Sequence, residues 1–453
     1  MSELPEGWAA CRLSDIGEIV TGKTPSTKEP RFYGGDIPFI KPGDLDYSSP
    51  IFRTETYLTA DGAAEVPNLP SQSIVVTCIG NLGKVGLTTR TSATNQQINA
   101  VIPHEGINPT FMFHYCKTLK PWLEAESSAT TISIVNKGIF STAPVSLPPF
   151  AEQTRIAAKL DELLAQVDTL KARIDGIPAL LKRFRQSVLA AAVSGRLTEA
   201  WRERADTANQ PYSAGYSMAT LDSLASFQNG FAFKSEWFSK EGDVQVAKIG
   251  NVRNGKADLS NSPAFVSRKI ASEYERFMTS EGDILLSMTG TKYKRDYGFA
   301  CSAPTGILVN QRVGKLTPDK DKVDSRFFLL CLQSAGFREQ FFVGETGQVS
   351  QGNVGSEHIK KCLMPAPSLS EQTEIVRRVE QLFAFADQLE ARVKAAQSRI
   401  NHLTQSILAK AFRGELVPQD PNDEPASVLL ERIKAQRAAA PKAKRGRRAA
   451  TLS

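Results

Sequence analysis

The sequence predicts an α+β fold: two mixed α/β globular domains held apart by an antiparallel pair of long coiled-coil helices, with a pseudo-two-fold internal repeat. Three observations predict it. A helical segment that starts at Glu152 recurs at Glu371, 219 residues later. The stretch before each copy also repeats, although more loosely. Each helical copy carries an apolar heptad pattern, which is typical of helices that pair.

The helical repeat is too close for a chance match. The two copies align without a gap over 46 positions with 17 identities, from EQTRIAAKLDELLAQVDTLKAR onward in the first half and EQTEIVRRVEQLFAFADQLEAR onward in the second. The preceding globular parts match at scattered positions, such as Leu13 with Leu221 and Gly22 with Gly230. Their offset drifts from 208 to 216 residues along the chain, which indicates loop insertions on a variable surface.

Apolar side chains recur along both helices at alternating spacings of four and three residues, as in an a/d coiled-coil seam. The predicted seam consists of Ile156, Leu160, Leu163, Val167 and Leu170 in the first helix and Ile375, Val379, Leu382 and Leu389 in the second. Gly195 and Gly414 mark the expected left-handed stops. Each helix should therefore span about 44 residues, or roughly 65 Å. Pro178 is expected to kink or briefly break the first helix, and Ser368 with Glu371 predicts a capping box on the second.

The two helices most simply pair with each other, and the chain topology predicts their direction. Because the termini of a domain usually lie close together, the end of the first helix should lie near the start of the second, and the helices should run antiparallel. The predicted segments are residues 1–150 (first domain), 151–195 (first helix), 196–215 (linker), 216–368 (second domain), 369–414 (second helix) and 415–453 (a C-terminal extension with a basic, disordered tail).

The net charge of +7 over 453 residues suggests a nucleic-acid partner, but it is unevenly distributed. Residues 1–150 carry 11 basic and 14 acidic side chains, so the first domain is net acidic. Five tail residues supply much of the excess: Lys442, Lys444, Arg445, Arg447 and Arg448. Bulk charge is therefore weak evidence for DNA binding, which would have to come from local patches of the domains.

Membrane and catalytic classes are not favoured. No apolar run approaches the roughly 18 residues of a membrane span, no signal peptide is visible, and the six cysteines form no C-x-x-C pair, so we expect a cytoplasmic protein with no membrane partner and no metal site. No histidine lies in an H-E-x-x-H pattern or beside a nucleophile. GNLGKVG, from Gly80, lacks the phosphate-loop spacing. SLPPF, from Ser146, has Leu147 where an amino-methyltransferase motif needs a polar residue.

Amide-rich and basic loops are the chemistry that the sequence does offer. Asn and Gln can bond bidentately to adenine and Arg to guanine in the major groove. The strand NQQ matches NQR in the second half, and Ser133 and Asn136 are aligned with Ser350 and Asn353. Each such residue is also compatible with merely closing a turn, but the set on two related domains favours DNA. The candidates are Asn95, Gln96, Gln97, Ser133, Asn136, Lys137, Lys292, Tyr293, Lys294, Arg295, Asn310, Gln311, Arg312, Gln348, Ser350 and Asn353.

The motifs resemble those of the specificity subunits of type I restriction-modification systems, and the resemblance covers essentially the whole chain. It is carried by the opening G-W-x-x-x-x-L-x-D-I-G (from Gly7), T-G-K-T-P (from Thr21), Y-G-G-D-I-P-F-I (from Tyr33), the N-Q-Q strand and the helix entry P-P-x-x-E-Q-x-x-I (from Pro148). The closing GELVPQDPNDEPASVLLERI is especially specific. The second domain lacks the T-G-x-T-P and G-x-I-P strings, as expected for a domain that reads a different DNA sequence.

The resemblance implies a non-catalytic subunit that binds double-stranded DNA. Each target-recognition domain would read one half of an asymmetric bipartite site, and the helix pair would set the gap. Two methyltransferase (modification) subunits would dock on the helices, joined by restriction (translocase and nuclease) subunits. This subunit would bind no cofactor, and its partners would use S-adenosylmethionine, ATP and Mg. Two alternatives remain open: a self-contained restriction or methyltransferase enzyme, and a coiled-coil scaffold that binds no DNA.

Overall fold

The computed structural model describes residues 4–45, 50–127, 132–205, 216–292, 294–348 and 350–439. The chain divides into two compact units. Unit 1 comprises Met1–Ile174 with Ala396–Ser453, and unit 2 comprises Asp175–Ala395. Each unit therefore contains one globular domain and a portion of both long helices. Among the described residues, no helix is both long enough and apolar enough to cross a membrane.

The first half of the chain alternates short strands and helices before its long helix. Its strands are β1 (Ala9–Arg12), β2 (Gly17–Thr21), β3 (Tyr33–Ile40), β4 (Thr56–Leu58), β5 (Asn68–Leu69), β6 (Ile74–Thr77), β7 (Val85–Leu87), β8 (Ser92–Thr94), β9 (Ile98–Pro103) and β10 (Pro144–Leu147). Its helices are α1 (Leu13–Ile16), α2 (Ala60–Ala64), α3 (Pro109–Cys116), α4 (Lys120–Ala125), α5 (Lys137–Ser141), α6 (Phe150–Val193) and α7 (Glu199–Ala205).

The second half follows a similar order with additional short strands. Its strands are β11 (Met218–Thr220), β12 (Ala225–Asn229), β13 (Val244–Ala247), β14 (Val252–Arg253), β15 (Lys256–Ala257), β16 (Phe265–Val266), β17 (Ile284–Ser287), β18 (Thr289–Gly290), β19 (Ala300–Ser302), β20 (Leu308–Val309), β21 (Val313–Pro318), β22 (Glu345–Thr346), β23 (Gly352–Val354) and β24 (Leu363–Pro365). Its helices are α8 (Leu221–Leu224), α9 (Arg268–Glu273), α10 (Ser325–Gln333), α11 (Ala335–Val343), α12 (Ser356–Lys361), α13 (Leu369–Phe412) and α14 (Ala426–Ala439).

The two globular domains share the strand order of one four-stranded antiparallel sheet and the central strands of a second, mixed sheet. Unit 1 has an antiparallel sheet in the order β2-β9-β6-β7 and a mixed sheet in the order β4-β3-β8-β5, in which β3 runs parallel to β8. Unit 2 has β12-β21-β17-β19 and β16-β13-β20, with β13 parallel to β20. In both units the first strand pairs with the strand that enters the long helix, as β1-β10 and β11-β24. The loose sequence repeat of the globular parts is thus a repeat of fold.

The central strand of each antiparallel sheet is buried on both faces. In β6, Ile74 and Val76 face one core and Val75 faces another. In β17, Ile284 and Leu286 face one core while Leu285 faces the other. Since neighbouring side chains of a strand point to opposite faces, a continuous apolar run such as IVVT or ILLS is what a strand with cores on both sides requires.

The two long helices are each 44 residues, as predicted. In unit 1, the buried seam residues of α6, including Leu160 and Val167, share a core with Ile400 and Ile407 of α13. In unit 2, Val188 and Ala192 of α6 share a core with the start of α13, including Ile375 and Val379. The start of each helix thus packs with the end of the other, which is the pairing that an antiparallel arrangement predicts. A continuous coiled-coil seam remains a prediction.

Single positions along the helices differ from expectation. Leu170 is 49% exposed, because a seam between two helices leaves side chains at its margin open to solvent. Helix α6 runs without interruption through Pro178, so the predicted break is wrong. Only half of the capping box forms: the Glu371 amide donates to Ser368 Oγ over 3.4 Å, while the Glu371 carboxylate binds Arg202 instead.

Both long helices end just before a glycine, and the C-terminal extension packs against the rest of unit 1. Gly195 and Gly414 have φ values of +84° and +76°, which confirms the left-handed stops. The extension is in part a structural element, because α14 buries Leu429, Leu430 and Ile433 in the core of unit 1. Its start is tied down where the Ala426 amide donates to the carbonyl of Gly7 over 2.9 Å. The predicted basic tail, Lys442 to Arg448, lies outside the described residues.

Candidate nucleic-acid interface

In unit 1, the loops of interest gather at one end of the sheets. Strands β2 and β6 both run antiparallel to β9, so their carboxyl ends meet at the start of β9, where the strand β8 also ends. Lys23 donates its amide to Thr94 O over 2.9 Å, and Gly80 donates to Ser133 O over 2.9 Å. The topology therefore brings the T-G-K-T-P loop, the N-Q-Q segment and the segment near Ser133 to the same end.

Gly22 and Gly230 explain why this end of each domain needs a glycine after its second strand. A Cβ atom on Gly22 would lie 2.2 Å from the carbonyl oxygen of Asn95, and one on Gly230 would lie 2.2 Å from that of Asn310. Any other residue would push the two loops apart. The two glycines match in the sequence because, in each domain, the backbone after the second strand lies close to the backbone of the Asn-Gln turn.

The Asn-Gln-Gln segment divides into structural and exposed side chains. Asn95 is buried; its Nδ2 donates to Gln97 Oε1 over 2.9 Å and its Oδ1 accepts from the Gln97 amide over 3.1 Å. Asn95 thus closes the turn, and Gln97 is engaged in holding it. Gln96 is exposed and accepts from Thr24 Oγ1 over 2.6 Å. Of the three predicted residues, Gln96 is the one whose position suits contact with a ligand.

The predicted alignment of Ser133 and Asn136 with Ser350 and Asn353 is wrong by two residues. Val135 donates its amide to Cys78 O over 2.8 Å, and Val354 donates to Met288 O over 3.0 Å, which makes the two valines equivalent. Asn136 therefore corresponds to Gly355, and both are helix N-caps. The Asn136 Oδ1 accepts from the Ile139 amide over 2.9 Å. Short polar segments carry too little apolar pattern to set their own register.

The remaining candidates of unit 1 have no common structural role. Ser133 is half-buried and uses its carbonyl to hold the Gly80 loop. Lys137 is exposed at the first position of α5. Both lie on the segment that enters α5, beside the apolar Ile132 and Ile134, which are 55% and 38% exposed. This segment leads from the loop end toward the core.

In unit 2, the basic loop TGTKYKRDYG is more structural than its composition suggests. Tyr297 is buried and donates its hydroxyl to Glu345; burial raises the pKa of this phenol, so it stays protonated. Lys292 donates to Gly347 O over 3.0 Å. Arg295 has a left-handed backbone (φ +47°), and its guanidinium lies 4.8 Å from the ring centre of Phe342. Lys294 is exposed, and Tyr293 lies outside the described residues.

Arg312 and Ser350, both predicted from sequence, meet at an open cleft of about 400 Å³ in unit 2. The cleft is lined by Ile249, Gly250, Arg253, Thr289, Gly290, Asp296, Arg312, Ser350 and Gln351. Asn353 lies beside it, where its Oδ1 accepts from Thr289 Oγ1 over 2.8 Å. Asn310 lies two residues before Arg312, and its Oδ1 accepts from the Gln311 amide over 2.7 Å. Gln311 and Gln348 are exposed.

Arg253 and Asp296 are charged cleft residues that are absent from the sequence candidates. Arg253 had a signal in the sequence. It follows a 3₁₀ turn, Ile249–Asn251, in which Asn251 Oδ1 accepts from the Lys248 amide over 2.8 Å. The same turn closes in unit 1, where Asp44 Oδ2 accepts from the Lys41 amide over 2.8 Å. The match between IPFIKPGDL and VQVAKIGNV was therefore the available signal, since it marks a shared loop and the basic residue directly after it.

Electrostatically, the cleft mixes positive and negative groups. Within the part of the chain that the structure describes, the guanidinium groups of Arg253 and Arg312 have no hydrogen bond, ion pair or ring contact. Asp296 accepts from the amide of Thr291 over 2.7 Å and from its hydroxyl over 3.1 Å. These donors hold the pKa of Asp296 below its usual value, so it is ionised at neutral pH.

The histidines and acidic residues that the structure describes do not form a second candidate site. The described residues contain no group of three or more His, Cys, Asp or Glu side chains that could hold a metal ion. His114 is buried and its Nε2 lies 2.7 Å from Asp161 Oδ1 on α6, and His358 Nε2 lies 2.8 Å from the carbonyl of Gln340. The described residues thus form two related domains whose polar loops differ in chemistry.

Comparison with known proteins identifies the family. The model of the type I restriction modification DNA specificity domain matches residues 5–179 and 214–396. The chain is 31% identical over 466 residues to the EcoKI specificity subunit of Escherichia coli strain K12, covering 96% of this chain and 97% of that protein. It is 30% identical over 459 residues to the EcoBI specificity subunit of Escherichia coli, covering 96% and 93%. The chain belongs to the family of type I restriction-modification specificity subunits.

Solved structures share the fold. A chain from a structure on complex assembly and conformational transition of the type I restriction-modification system has a TM-score of 0.70 at 18% identity, covering 92% of this chain and 100% of that one. The HsdS subunit from Thermoanaerobacter tengcongensis has a TM-score of 0.58 at 17% identity, covering 91% and 98%. Members of this family recognise DNA and are non-catalytic, since enzymatic activity resides in other subunits of the type I system.

Proposed function

We propose that each globular domain reads one half of an asymmetric bipartite DNA site and that the two long helices set the unread gap between the halves. The observation that carries this is the duplicated loop end with different chemistry. Equivalent turns leave the amide of Gln96 exposed in unit 1 and the guanidinium of Arg312 without a partner among the described residues in unit 2. An amide suits adenine and a guanidinium suits guanine, so equivalent scaffolds would read unlike sequences.

The helices support the second part of the proposal. Each is a continuous helix of 44 residues, and each contributes to the cores of both units. A helix that is anchored in this way is a spacer of defined length, at about 1.5 Å per residue. Its outward face would serve as a docking surface for two methyltransferase subunits, with ATP-dependent restriction subunits joining them.

In this proposal the chain itself binds no cofactor. The partner subunits would use S-adenosylmethionine, ATP and Mg, and the chain would supply sequence recognition and assembly. This accords with relatives that are named specificity subunits of type I restriction enzymes. The cytoplasm, where genomic DNA lies, would be the site of action.

Domain exchange tests the assignment of the half-sites. The chain is expressed with its methyltransferase subunits in a host that lacks other adenine methylation, and modified adenines are mapped across the genome. Replacing residues 1–150 with the corresponding domain of another family member should change one half-site and leave the other unchanged. Replacing residues 216–368 should change the opposite half only. An exchange that altered both halves would contradict separate reading by the two domains.

Helix insertion tests the spacer. One added heptad in both helices lengthens each by about 10 Å, which corresponds to roughly three base pairs at about 3.4 Å per step. We expect a longer gap and unchanged half-sites. The matched control is a heptad inserted into only one helix. It should abolish methylation of the site by the complex, because the paired helices then fall out of register.

Two simpler assays address the other readings of the sequence. A self-contained enzyme would methylate or cut DNA when the chain is purified alone, whereas we expect neither activity. A scaffold that does not bind DNA would leave the chain-methyltransferase complex without any sequence preference in a gel-shift assay on duplexes of random sequence. We expect a preference for the motif found by genome mapping.

A further inference from the structure

The cleft of unit 2 presents two arginines on rigid backbones. Arg253 lies in the hairpin β14–β15, opposite Lys256. That hairpin is braced by Asn251, whose Nδ2 donates to Asp258 O over 2.8 Å and to Asn261 O over 2.7 Å. Arg312 directly precedes β21, and its carbonyl accepts from the Met288 amide over 3.1 Å. Both guanidinium groups therefore extend from fixed positions into the same space.

These side chains have no structural duty that the described residues reveal. Other basic groups of the domain are used within it: Lys292 binds a carbonyl, and Arg338 donates to the carbonyls of Tyr297 and Gly298 over 2.9 and 2.8 Å. Arg253 and Arg312 lack any such partner in the described part of the chain. Each guanidinium carries five N–H donors in a planar fork, so two forks face solvent ready for an acceptor pair.

The equivalent position of unit 1 is already engaged. Gln97 accepts from Asn95 and so helps to hold the turn. In unit 2, Asn310 closes the same turn onto the Gln311 amide, which leaves Arg312 available. The two turns are otherwise alike, because Ile98 donates to Asn95 O over 3.2 Å and Val313 donates to Asn310 O over 2.9 Å. The change from Gln97 to Arg312 thus alters the recognition chemistry while the turn is kept.

Two acceptors could engage an arginine fork, namely a phosphate and the O6/N7 edge of guanine. The carboxylate of Asp296 lines the same cleft and would repel a phosphate. It would favour a base pair, because a carboxylate can accept from the N4 amine of cytosine. Each oxygen of Asp296 accepts one bond from Thr291, and a carboxylate oxygen has capacity for a second.

We propose that Arg312 and Arg253 read guanine in the half-site bound by the second globular domain, with Asp296 facing the paired cytosine in the major groove. The inference rests on the proposed function, because it assigns base specificity to one of the two reading domains. It predicts at least one G·C pair in the half-site that changes when residues 216–368 are exchanged. A half-site made only of A·T pairs would overturn it and leave the bipartite function intact.

The test uses the complex of the full chain with its methyltransferase subunits and a duplex that carries the mapped motif. Each guanine of the second half-site is replaced in turn by 7-deazaguanine, which lacks the N7 acceptor. Because 7-deazaguanine keeps the O6 acceptor, the wild-type complex should lose affinity at one position by about 5-fold or more, up to the roughly 150-fold that the full ~1–3 kcal/mol of a bidentate pair represents. The Arg312→Gln or Arg253→Gln complex should be insensitive to the same replacement.

A phosphate contact would give a different result. In that case the substitution would weaken binding to all sequences alike and lower the slope of log K against log salt by about 0.9, and 7-deazaguanine would still weaken the variant. If both arginine variants lose affinity uniformly with a lower salt slope, or if both remain sensitive to 7-deazaguanine, the inference is overturned. The matched control is Arg268→Gln, an exposed arginine of the same domain outside the cleft, which should keep both affinity and base preference. Loss of all sequence preference in the wild-type complex would instead contradict the proposed function.

Discussion

Arg155 on the first long helix forms a paired ion contact with Asp423 of the C-terminal extension. Arg155 Nη2 lies 2.7 Å from Asp423 Oδ2, and Nη1 lies 3.4 Å from Oδ1. The contact holds the pKa of Arg155 above its usual value through its hydrogen bond to Asp423. It joins two segments of unit 1 that are 268 residues apart in the chain, and so fixes the extension against the start of α6.

Breaking this ion pair should destabilise unit 1. For Arg155→Ala we expect a loss of about 1–2 kcal/mol in the free energy of unfolding, at the low end for a bond between charged groups because the arginine side chain is 36% exposed and solvent screens it. Asp423→Asn should have a similar effect. Chemical denaturation of the single variants and of the double variant measures the coupling, and additive losses would show that the two residues do not interact.

The helix α14 should be an integral part of unit 1. Ile433 is 1% exposed, and Ile433→Ala should lower the free energy of unfolding by about 2–4 kcal/mol because it leaves a cavity. Val428 on the same helix is 46% exposed, so Val428→Ala is the matched control and should cost less than about 0.5 kcal/mol. Equal effects of the two variants would mean that α14 does not pack as described.

Glu152 and Glu371 occupy the same position of the helical repeat but should respond oppositely to loss of charge. Glu371 forms a buried ion pair with Arg202 and also accepts from Thr198 Oγ1 over 2.6 Å. Glu371→Gln should therefore cost about 3 kcal/mol, since it leaves a buried charge uncompensated. Glu152 accepts from Trp8 Nε1 over 3.0 Å, and its Oε1 has no partner among the described residues.

Burial raises the pKa of Glu152, against the opposing hydrogen bond from Trp8. The protonated form is thus favoured in the fold, and the stability that it contributes is present below the unfolded value of about 4.3. That stability is lost as the pH rises through the folded pKa. Glu152→Gln keeps an acceptor for Trp8 and removes the charge, so it should be neutral or stabilising at pH 7. Thermal unfolding of wild type and Glu152→Gln is compared from pH 4 to 7. A lower unfolding temperature for Glu152→Gln than for wild type at pH 7 would contradict this prediction.

Asn136 should act as a helix cap rather than as a DNA reader. Asn136→Ala removes the acceptor for the Ile139 amide and should cost about 1 kcal/mol of stability, with no change in the methylated motif. Asn136→Asp keeps the cap and should restore most of the stability. The comparison is Gln96→Ala, which we expect to leave the unfolding curve unchanged and to weaken binding of the first half-site. A changed motif in Asn136→Asp would return this residue to the recognition surface.

Much of the architecture follows from pattern alone. Heptad spacing predicts the two helices, and glycine at Gly195 and Gly414 predicts their ends, because only local backbone preference is involved. The matched Gly22 and Gly230 anticipate the shared turn of the two domains. Pro178 shows the limit of such rules, since the helix continues through it.

The recognition surface follows less directly. Sequence selected Arg312 and Ser350, which line the cleft of unit 2, but it paired Asn136 with the wrong residue and did not select Arg253, which lines the same cleft. A polar residue in a loop has no periodicity, so its neighbours depend on where distant strands end. Tyr297 illustrates this: it lies in a basic loop, yet it is buried against the rings of Phe341 and Phe342.

By itself, the sequence determined that this protein is a duplicated pair of α/β domains with two long helices, because repetition and apolar spacing are written along the chain. Only the tertiary structure decided which polar side chains are engaged within the fold and which are left to a ligand. The hydrogen bond from Asn95 to Gln97 uses a donor and an acceptor within the fold, whereas the guanidinium of Arg312 has no partner in the described part of the chain. That difference arises from three-dimensional proximity, which residue type does not encode.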